Sequence, residues 1–197
     1  MSRFIETIRF SGGKFQNIER HRKRILASLG GQPQWDADAL FSEVSTPPIG
    51  AADNIYKVRV VYSLTMASVA TELYTIRPVR SLKLVVDDKI MYDRKYEDRK
   101  ELDSLFALRD SCDDVLIVKN GVVTDTSYAN IIFRKGDQWV TPNSYLLNGT
   151  MRQYLLETER ISEQRITPHD LTRFSHFKII NAMLREEGQE SEVSNIR

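Results

Sequence analysis

The residue pattern predicts an α+β fold in two lobes, and three observations carry that reading. Strand-like runs are joined to one another by short turns, where a doubly wound sheet would join them through helices. Helical patterns are inserted between groups of strands. The stretch Arg77-Pro78-Val79-Arg80 reads as a crossover between two halves, a smaller lobe over residues 1–77 and a larger one over residues 81–197.

Residues 4–10 (FIETIRF) mix β-branched, aromatic and polar side chains and end at Ser11-Gly12-Gly13, so they predict a strand followed by a turn. A helix follows. Asn17 is placed to cap it, Ile18, Ile25, Leu26 and Leu29 form its apolar side, and Gly30-Gly31 stop it. The run Arg20-His21-Arg22-Lys23-Arg24 gives it a basic outer face. A shorter helix is expected from Asp36 to about Val44, then a loop at Thr46-Pro47-Pro48-Ile49-Gly50. Residues 55–63 and 68–76 read as two strands able to pair. In the second half, Leu82–Val86 predicts a strand and Glu101–Cys112 a helix with Leu102, Leu105, Phe106 and Arg109 at helical spacing. Residues 115–124 form the cleanest hairpin, because Asn120-Gly121 accept the positive φ angles of a two-residue turn. A second hairpin, Asn130–Phe133 against Gln138–Thr141, turns at Lys135-Gly136-Asp137. Gly149-Thr150 opens a helix running to about Arg160, Ile166 sits in a short strand, and Pro168-His169-Asp170-Leu171 starts a turn or helix. Phe177–Asn181 is the last strand before a polar tail.

Composition narrows the function. The 197 residues carry 28 Lys and Arg against 27 Asp and Glu, a net charge of +1, which speaks against a nucleic-acid binder that works by neutralising phosphates. The single cysteine, Cys112, excludes an intrachain disulfide framework and a paired-cysteine zinc site. Three histidines offer no pair at metal spacing, so no metal is expected. The apolar uncharged run Val60–Thr71 is too short to cross a bilayer, and the charged N-terminal segment does not suit a signal peptide. A cytoplasmic protein without membrane partners is expected. Asp87-Asp88 and Asp113-Asp114 read as solvated loop carboxylates, Cys112 as a packing residue, and His169 and His176 as structural.

What remains suits an anionic, aromatic cofactor. Arg24 ends a basic run, while Thr150 and Asn181 stand where a helix or turn can begin, and a helix N-terminus favours phosphate. The order of these segments resembles the class IV aminotransferases, the pyridoxal-phosphate enzymes of fold type IV. That family includes branched-chain and D-amino acid aminotransferases and 4-amino-4-deoxychorismate lyase. Phe4-Ile5-Glu6-Thr7 resembles the family's Phe-Glu-Thr segment, His21-Arg22-Lys23-Arg24 its His-x-x-Arg, and Lys95–Arg99 its lysine segment. Val123–Phe133 resembles its Val-Thr-Glu…Asn-hydrophobic-Phe stretch. Thr141-Pro142, Leu147–Arg152 and Asn181-Ala182-Met183 follow in the expected order.

The resemblance implies a two-lobe fold type IV enzyme with a shortened N-terminal lobe, and it implies roles. Lys95 would form the Schiff base with pyridoxal 5'-phosphate and then act as general base and acid. Asp125 would take the place of the glutamate that pairs with the pyridine nitrogen, beside Asn130. Arg24, Thr150 and Asn181 would hold the phosphate, helped by backbone N–H groups around Gly149, Thr150 and Met151. The arginine fork grips phosphate through two bonds. Arg59 is the candidate for a substrate carboxylate. Tyr92 is the aromatic candidate near the lysine, since Lys100 stands where aminotransferases carry a tyrosine. Substrate specificity would depend on the loops Ser45–Asp53 and Asn143–Asn148.

By resemblance the chain is a homodimer acting on a small amino substrate. The Gly149–Gln153 and Asn181–Met183 segments look closest to the lyase that splits 4-amino-4-deoxychorismate into 4-aminobenzoate and pyruvate, a step of folate biosynthesis. The alternative is an aminotransferase moving an amino group between an amino acid and a 2-oxo acid. A third reading is a non-catalytic cofactor-binding homodimer.

Overall fold

The structure, a computed structural model, describes residues 2–42 and 54–197. The loop expected at 46–50 and the specificity loop 45–53 lie outside them. The fold is α+β, in two compact units. Met1–Ile76 and Arg94–Asp98 form the first, Arg77–Asp93 and Arg99–Arg197 the second. Chain order alone puts Lys95 in the 81–197 lobe, but its segment groups with the first unit because the backbone pairs there. Ile5 N donates to Lys95 O at 2.9 Å, Glu97 N donates to Arg3 O at 2.9 Å, and Phe4 bridges to Tyr96.

The first unit is a four-stranded antiparallel sheet ordered β2-β1-β3-β4, with β1 at Phe4–Ser11, β2 at Lys14–Phe15, β3 at Tyr56–Tyr62 and β4 at Ala67–Leu73. Helix α1 (Ile18–Leu29) contributes Ile25 and Leu29 to a core with Phe4, Ile8, Phe10, Val58, Val60 and Tyr62. Helix α2 is described over Ala37–Ser42, and the end of the helix expected to about Val44 lies outside the described residues.

Two expectations for α1 change. Asn17 occupies the N-cap position, but with φ 53° and no side-chain capping bond, so it serves by tolerating left-handed backbone. The buried stripe is His21, Ile25, Ser28 and Leu29, spaced i, i+4, i+7, i+8, and Leu26 falls outside it at 51% exposed. The basic run is therefore not one outer face, since His21 lies in the interior.

The second unit holds two sheets. One is ordered β5-β6-β7, from β5 (Leu82–Val86), β6 (Asp114–Lys119) and β7 (Val122–Thr126). β5 and β6 are parallel, joined through α3 (Lys100–Ala107), and β6 and β7 form the expected hairpin with Asn120 at φ 51° and Gly121 at φ 73°. The other sheet is ordered β10-β9-β8-β11-β12, from β8 (Asn130–Lys135), β9 (Gln138–Pro142), β10 (Ser162–Gln164), β11 (His176–Ile180) and β12 (Ser191–Glu192). Helix α4 (Thr150–Glu157) buries Met151 and Leu155 against Ile132, Ile161 and Ile180.

Several boundaries move inward. α3 ends at Ala107 and not at Cys112, because the chain must turn to bring Asp114 alongside Leu82, and Asp110 takes φ 51° on the way. α4 ends at Glu157, and the strand near Ile166 lies instead at 162–164. Asp114 is fully buried, not solvated; burial pushes its carboxyl up, against bonds from Ser127 and Thr126. Asp113 ties down Arg80 N and Ser81 N at 2.8 and 3.0 Å. The polar tail is also structured, since Leu84 N donates to Arg197 O and Arg197 N to Leu82 O, which lays the chain end along β5.

Candidate active site

In the first unit, alternation along β1 turns Glu6 to the same side as Phe4, Ile8 and Phe10, all core residues. A carboxylate at such a position needs partners. α1 supplies them. Arg24 Nε donates to Glu6 Oε1 at 2.7 Å and Nη2 to Oε2 at 2.6 Å, while His21 Nδ1 lies 2.6 Å from Oε2. Both Glu6 and His21 side chains are fully buried and Arg24 is 13% exposed. Burial works to raise the Glu6 carboxyl, but the Arg24 charge and the bonds from Arg24 and His21 outweigh it and hold it at about 2. Burial holds the His21 imidazole below its ordinary value, so its contact is the hydrogen bond of a neutral ring with the proton on Nδ1.

Glu6 thus stabilises the fold at neutral pH. The contribution, on the order of 3 kcal/mol, is present above pH 4.5 and is lost as pH falls through about 2. Acid unfolding followed by circular dichroism is expected to show this loss, and a Glu6→Gln variant to lack that part of the acid transition.

Lys95 is partly buried, and its charge is felt at His21, which places it near the cluster. Arg59, on β3 opposite Thr7 and Ala70, is 45% exposed with its guanidinium 3.9 Å from Glu97. The two-bond grip foreseen for Arg24 on a phosphate is already taken by Glu6. The Tyr62 hydroxyl is buried beside Ser28 and within reach of the Glu6 and Arg24 charges, and burial pushes it well above its ordinary value.

In the second unit, Asp125 closes β7 and is buried with three neutral donors. Asn130 Nδ2 bonds Oδ1 at 2.7 Å, and Leu146 N and Leu147 N each bond Oδ2 at 3.0 Å. Burial pushes this carboxyl up to about 6, against those three bonds and the Arg152 charge. Three donors leave about one lone-pair direction, on Oδ1. Asn130 Nδ2 also reaches Leu147 O at 2.9 Å, so the pair fixes the loop that leads into α4.

Gly149, which has no side chain to cap with, is the N-cap of α4. The first N–H groups of a helix have no intrahelical acceptor, and the helix dipole adds positive potential there. Thr150 and Met151 open this turn. Met151's side chain is in the core, so only its backbone faces a ligand's needs. Asn181 follows β11, whose Ile180 pairs with Asn130. Its Oδ1 accepts from Met183 N and Leu184 N at 2.9 Å each, so its amide nitrogen is what remains to offer an anion. Tyr92 is buried in this unit at 7% exposed.

A Cβ built on Gly149 would lie 2.1 Å from Asn130 Oδ1. Gly149→Ala therefore displaces the Asn130 amide from Asp125, and a loss of about 1–3 kcal/mol is expected on denaturant unfolding.

The structure thus brings Arg24 and Lys95 into one neighbourhood of the first unit, and Asp125, Asn130 and Gly149 into one neighbourhood of the second. Glu6 and the backbone of Leu146 and Leu147 had no assigned part. Glu6 was legible as an acid among the core-facing positions of an amphipathic strand; the two loop amides carry no sequence signal.

The amino-transferase class IV family matches residues 98–185. An uncharacterized protein of Haemophilus influenzae is 38% identical over 182 residues, 90% of this chain and 96% of that one. A Haemophilus somnus protein provisionally named 4-amino-4-deoxychorismate lyase superimposes with a TM-score of 0.87 at 31% identity, over 93% of this chain and 97% of that one. A hypothetical aminotransferase from Mycobacterium tuberculosis, in its PLP-bound form, superimposes with a TM-score of 0.78 at 17% identity, over 99% of this chain and 81% of that one, a likeness of fold. The chain belongs to the amino-transferase class IV family. The family match spans Asp125 through Asn181 and begins three residues beyond Lys95.

Proposed function

We propose that this protein is a pyridoxal-phosphate enzyme that uses Lys95 on an amino substrate, and that its reaction is the cleavage of 4-amino-4-deoxychorismate to 4-aminobenzoate and pyruvate. The observation that carries the cofactor is Asp125, a buried carboxyl with only neutral donors, fixed in orientation and pushed up to about 6. Such a group suits a cationic ring nitrogen, which would lower its pKa and complete its fourth acceptor direction. The N-terminal turn of α4, opened by Gly149 and Thr150, suits a phosphate. These residues fit the cofactor.

Pyridoxal phosphate supplies an aldehyde and an electron-withdrawing ring. Lys95 supplies the amine and, when free, takes and returns a proton at Nζ. Asp125 would hold the ring nitrogen of the cofactor and supply it with a negative charge. Thr150, Met151, the Asn181 amide and Arg24 are the groups that would hold the phosphate. Arg59 and Tyr92 are the proposed substrate contacts. The protein acts as a homodimer in the cytoplasm. The lyase reading is supported by the 31% identity to the Haemophilus somnus protein over nearly its whole length; the family match itself keeps amino transfer as the second reading.

The test is an absorption spectrum with added pyridoxal phosphate before and after borohydride, with peptide mapping. A long-wavelength band and a label on Lys95 are expected. Release of pyruvate with no 2-oxo acid present is expected of the lyase; a requirement for a 2-oxo acid would overturn it in favour of amino transfer.

A further inference from the structure

Glu6 takes both of the bonds that Arg24 would otherwise direct at an anion, and it does so from a core-facing position. Its other oxygen contact is to a buried, neutral imidazole. A surface arginine samples many rotamers, whereas this one has its Nε and one Nη held at 2.7 and 2.6 Å by a single carboxylate, which fixes the plane and direction of the guanidinium. His21 in turn restrains Glu6 through Oε2. Ile5, the neighbour of Glu6 on β1, donates its N–H to the carbonyl of Lys95, so the same strand segment that carries Glu6 also fixes the backbone of the lysine.

We propose that Glu6 is a positioning residue for cofactor recognition. It aims Arg24 through the bidentate pair, with His21 holding Glu6 in turn, so that phosphate affinity depends on a carboxylate that never touches the phosphate. The proposal rests on the reading of Arg24 as a phosphate contact. It deepens that reading by predicting a selectivity: the Glu6–Arg24 pair should govern discrimination between pyridoxal phosphate and pyridoxal, which differ only in the phosphate, and should leave affinity for the shared ring and aldehyde intact.

The experiment measures equilibrium dissociation constants of both compounds by spectroscopic titration for the full-length protein and for Arg24→Ala, Glu6→Gln and Glu6→Asp, with a thermal melt on each. Arg24→Ala is expected to reduce the preference for the phosphorylated compound at least tenfold. Glu6→Gln is expected to lower it by a similar factor with pyridoxal affinity within about twofold of the parent, a pattern that general loosening of the unit would not produce. Glu6→Asp retains the charge but is too short to span both partners, so it is expected to fall between, and it supplies the comparison if Glu6→Gln does not fold. A full preference in the Glu6 variants alongside a lost one in Arg24→Ala overturns the positioning role and leaves the Arg24 reading standing. A full preference in Arg24→Ala overturns that reading, and the proposal with it.

Discussion

Lys95→Ala is expected to abolish the borohydride-stable adduct with pyridoxal phosphate and to lower turnover by at least a factor of about 10³, within the range expected when a nucleophile that also moves protons is removed. The size of the effect depends on the side chain alone, because the backbone of the segment is held independently of it. Ile5 N to Lys95 O and Glu97 N to Arg3 O both survive truncation to alanine. The side chain is only partly buried, so unfolding stability is expected to change by no more than about 1 kcal/mol. A further consequence is local: the Lys95 charge helps hold the His21 imidazole down, so its loss is expected to raise the His21 pKa, visible as a shifted imidazole resonance in an NMR titration. A variant that keeps its label on a neighbouring lysine, such as Lys89 or Lys100, would show that the amine was assigned to the wrong residue.

Parts of this molecule were legible in the sequence because their causes are local. Asn120-Gly121 sets its hairpin by its own backbone preferences, and Leu82–Val86 is a strand bounded by turn chemistry on both sides. The places where reading failed have non-local causes. Leu26 is apolar and one position away from the buried stripe, a shift that only the packing of α1 against β1 decides. α3 and α4 stop early because the chain must meet a strand partner far away in sequence. The tail from residue 191 has little apolar content, yet its backbone completes the edge of β5.

The candidate site divides in the same way. Arg24, Asp125, Gly149 and Asn181 stand in recognisable motifs, but their partners lie 18 residues from Arg24, at Glu6, and 21 and 22 residues from Asp125, at Leu146 and Leu147. A motif names a residue type and is silent on what that residue is bonded to before a ligand arrives. For Arg24 this changes the chemistry, since its fork is engaged. For Asp125 two of its three bonds come from the 146–147 backbone, a partnership that residue identity does not reveal.

Asp125→Asn is expected to separate stability from cofactor binding. A carboxyl that titrates near 3.8 unfolded and about 6 folded favours the protonated form in the native state, so its stabilising contribution is full below pH 3.8 and is lost as pH rises through about 6. At neutral pH the ionised group therefore costs the cofactor-free protein on the order of 3 kcal/mol. An asparagine keeps Oδ1 for the Leu146 and Leu147 amides and removes the charge, though its amide meets that of Asn130. The cofactor-free variant is expected to melt at or above the parent temperature at pH 7.5, and to lose that advantage at pH 4, where Asp125 in the parent is protonated. Cofactor binding should move the other way. Without a fixed negative charge to hold a cationic ring nitrogen, turnover is expected to fall by a factor of about 10² or more, as when one preorganised charged partner is withdrawn from a dry site, and pyridoxal phosphate should no longer raise the melting temperature as far as it does in the parent. Differential scanning fluorimetry at both pH values, with and without pyridoxal phosphate, reads all four states. A variant less stable than the parent in the cofactor-free state at pH 7.5, yet with undiminished stabilisation by the cofactor, would mean that Asp125 anchors the 146–147 loop and has no part in holding the ring.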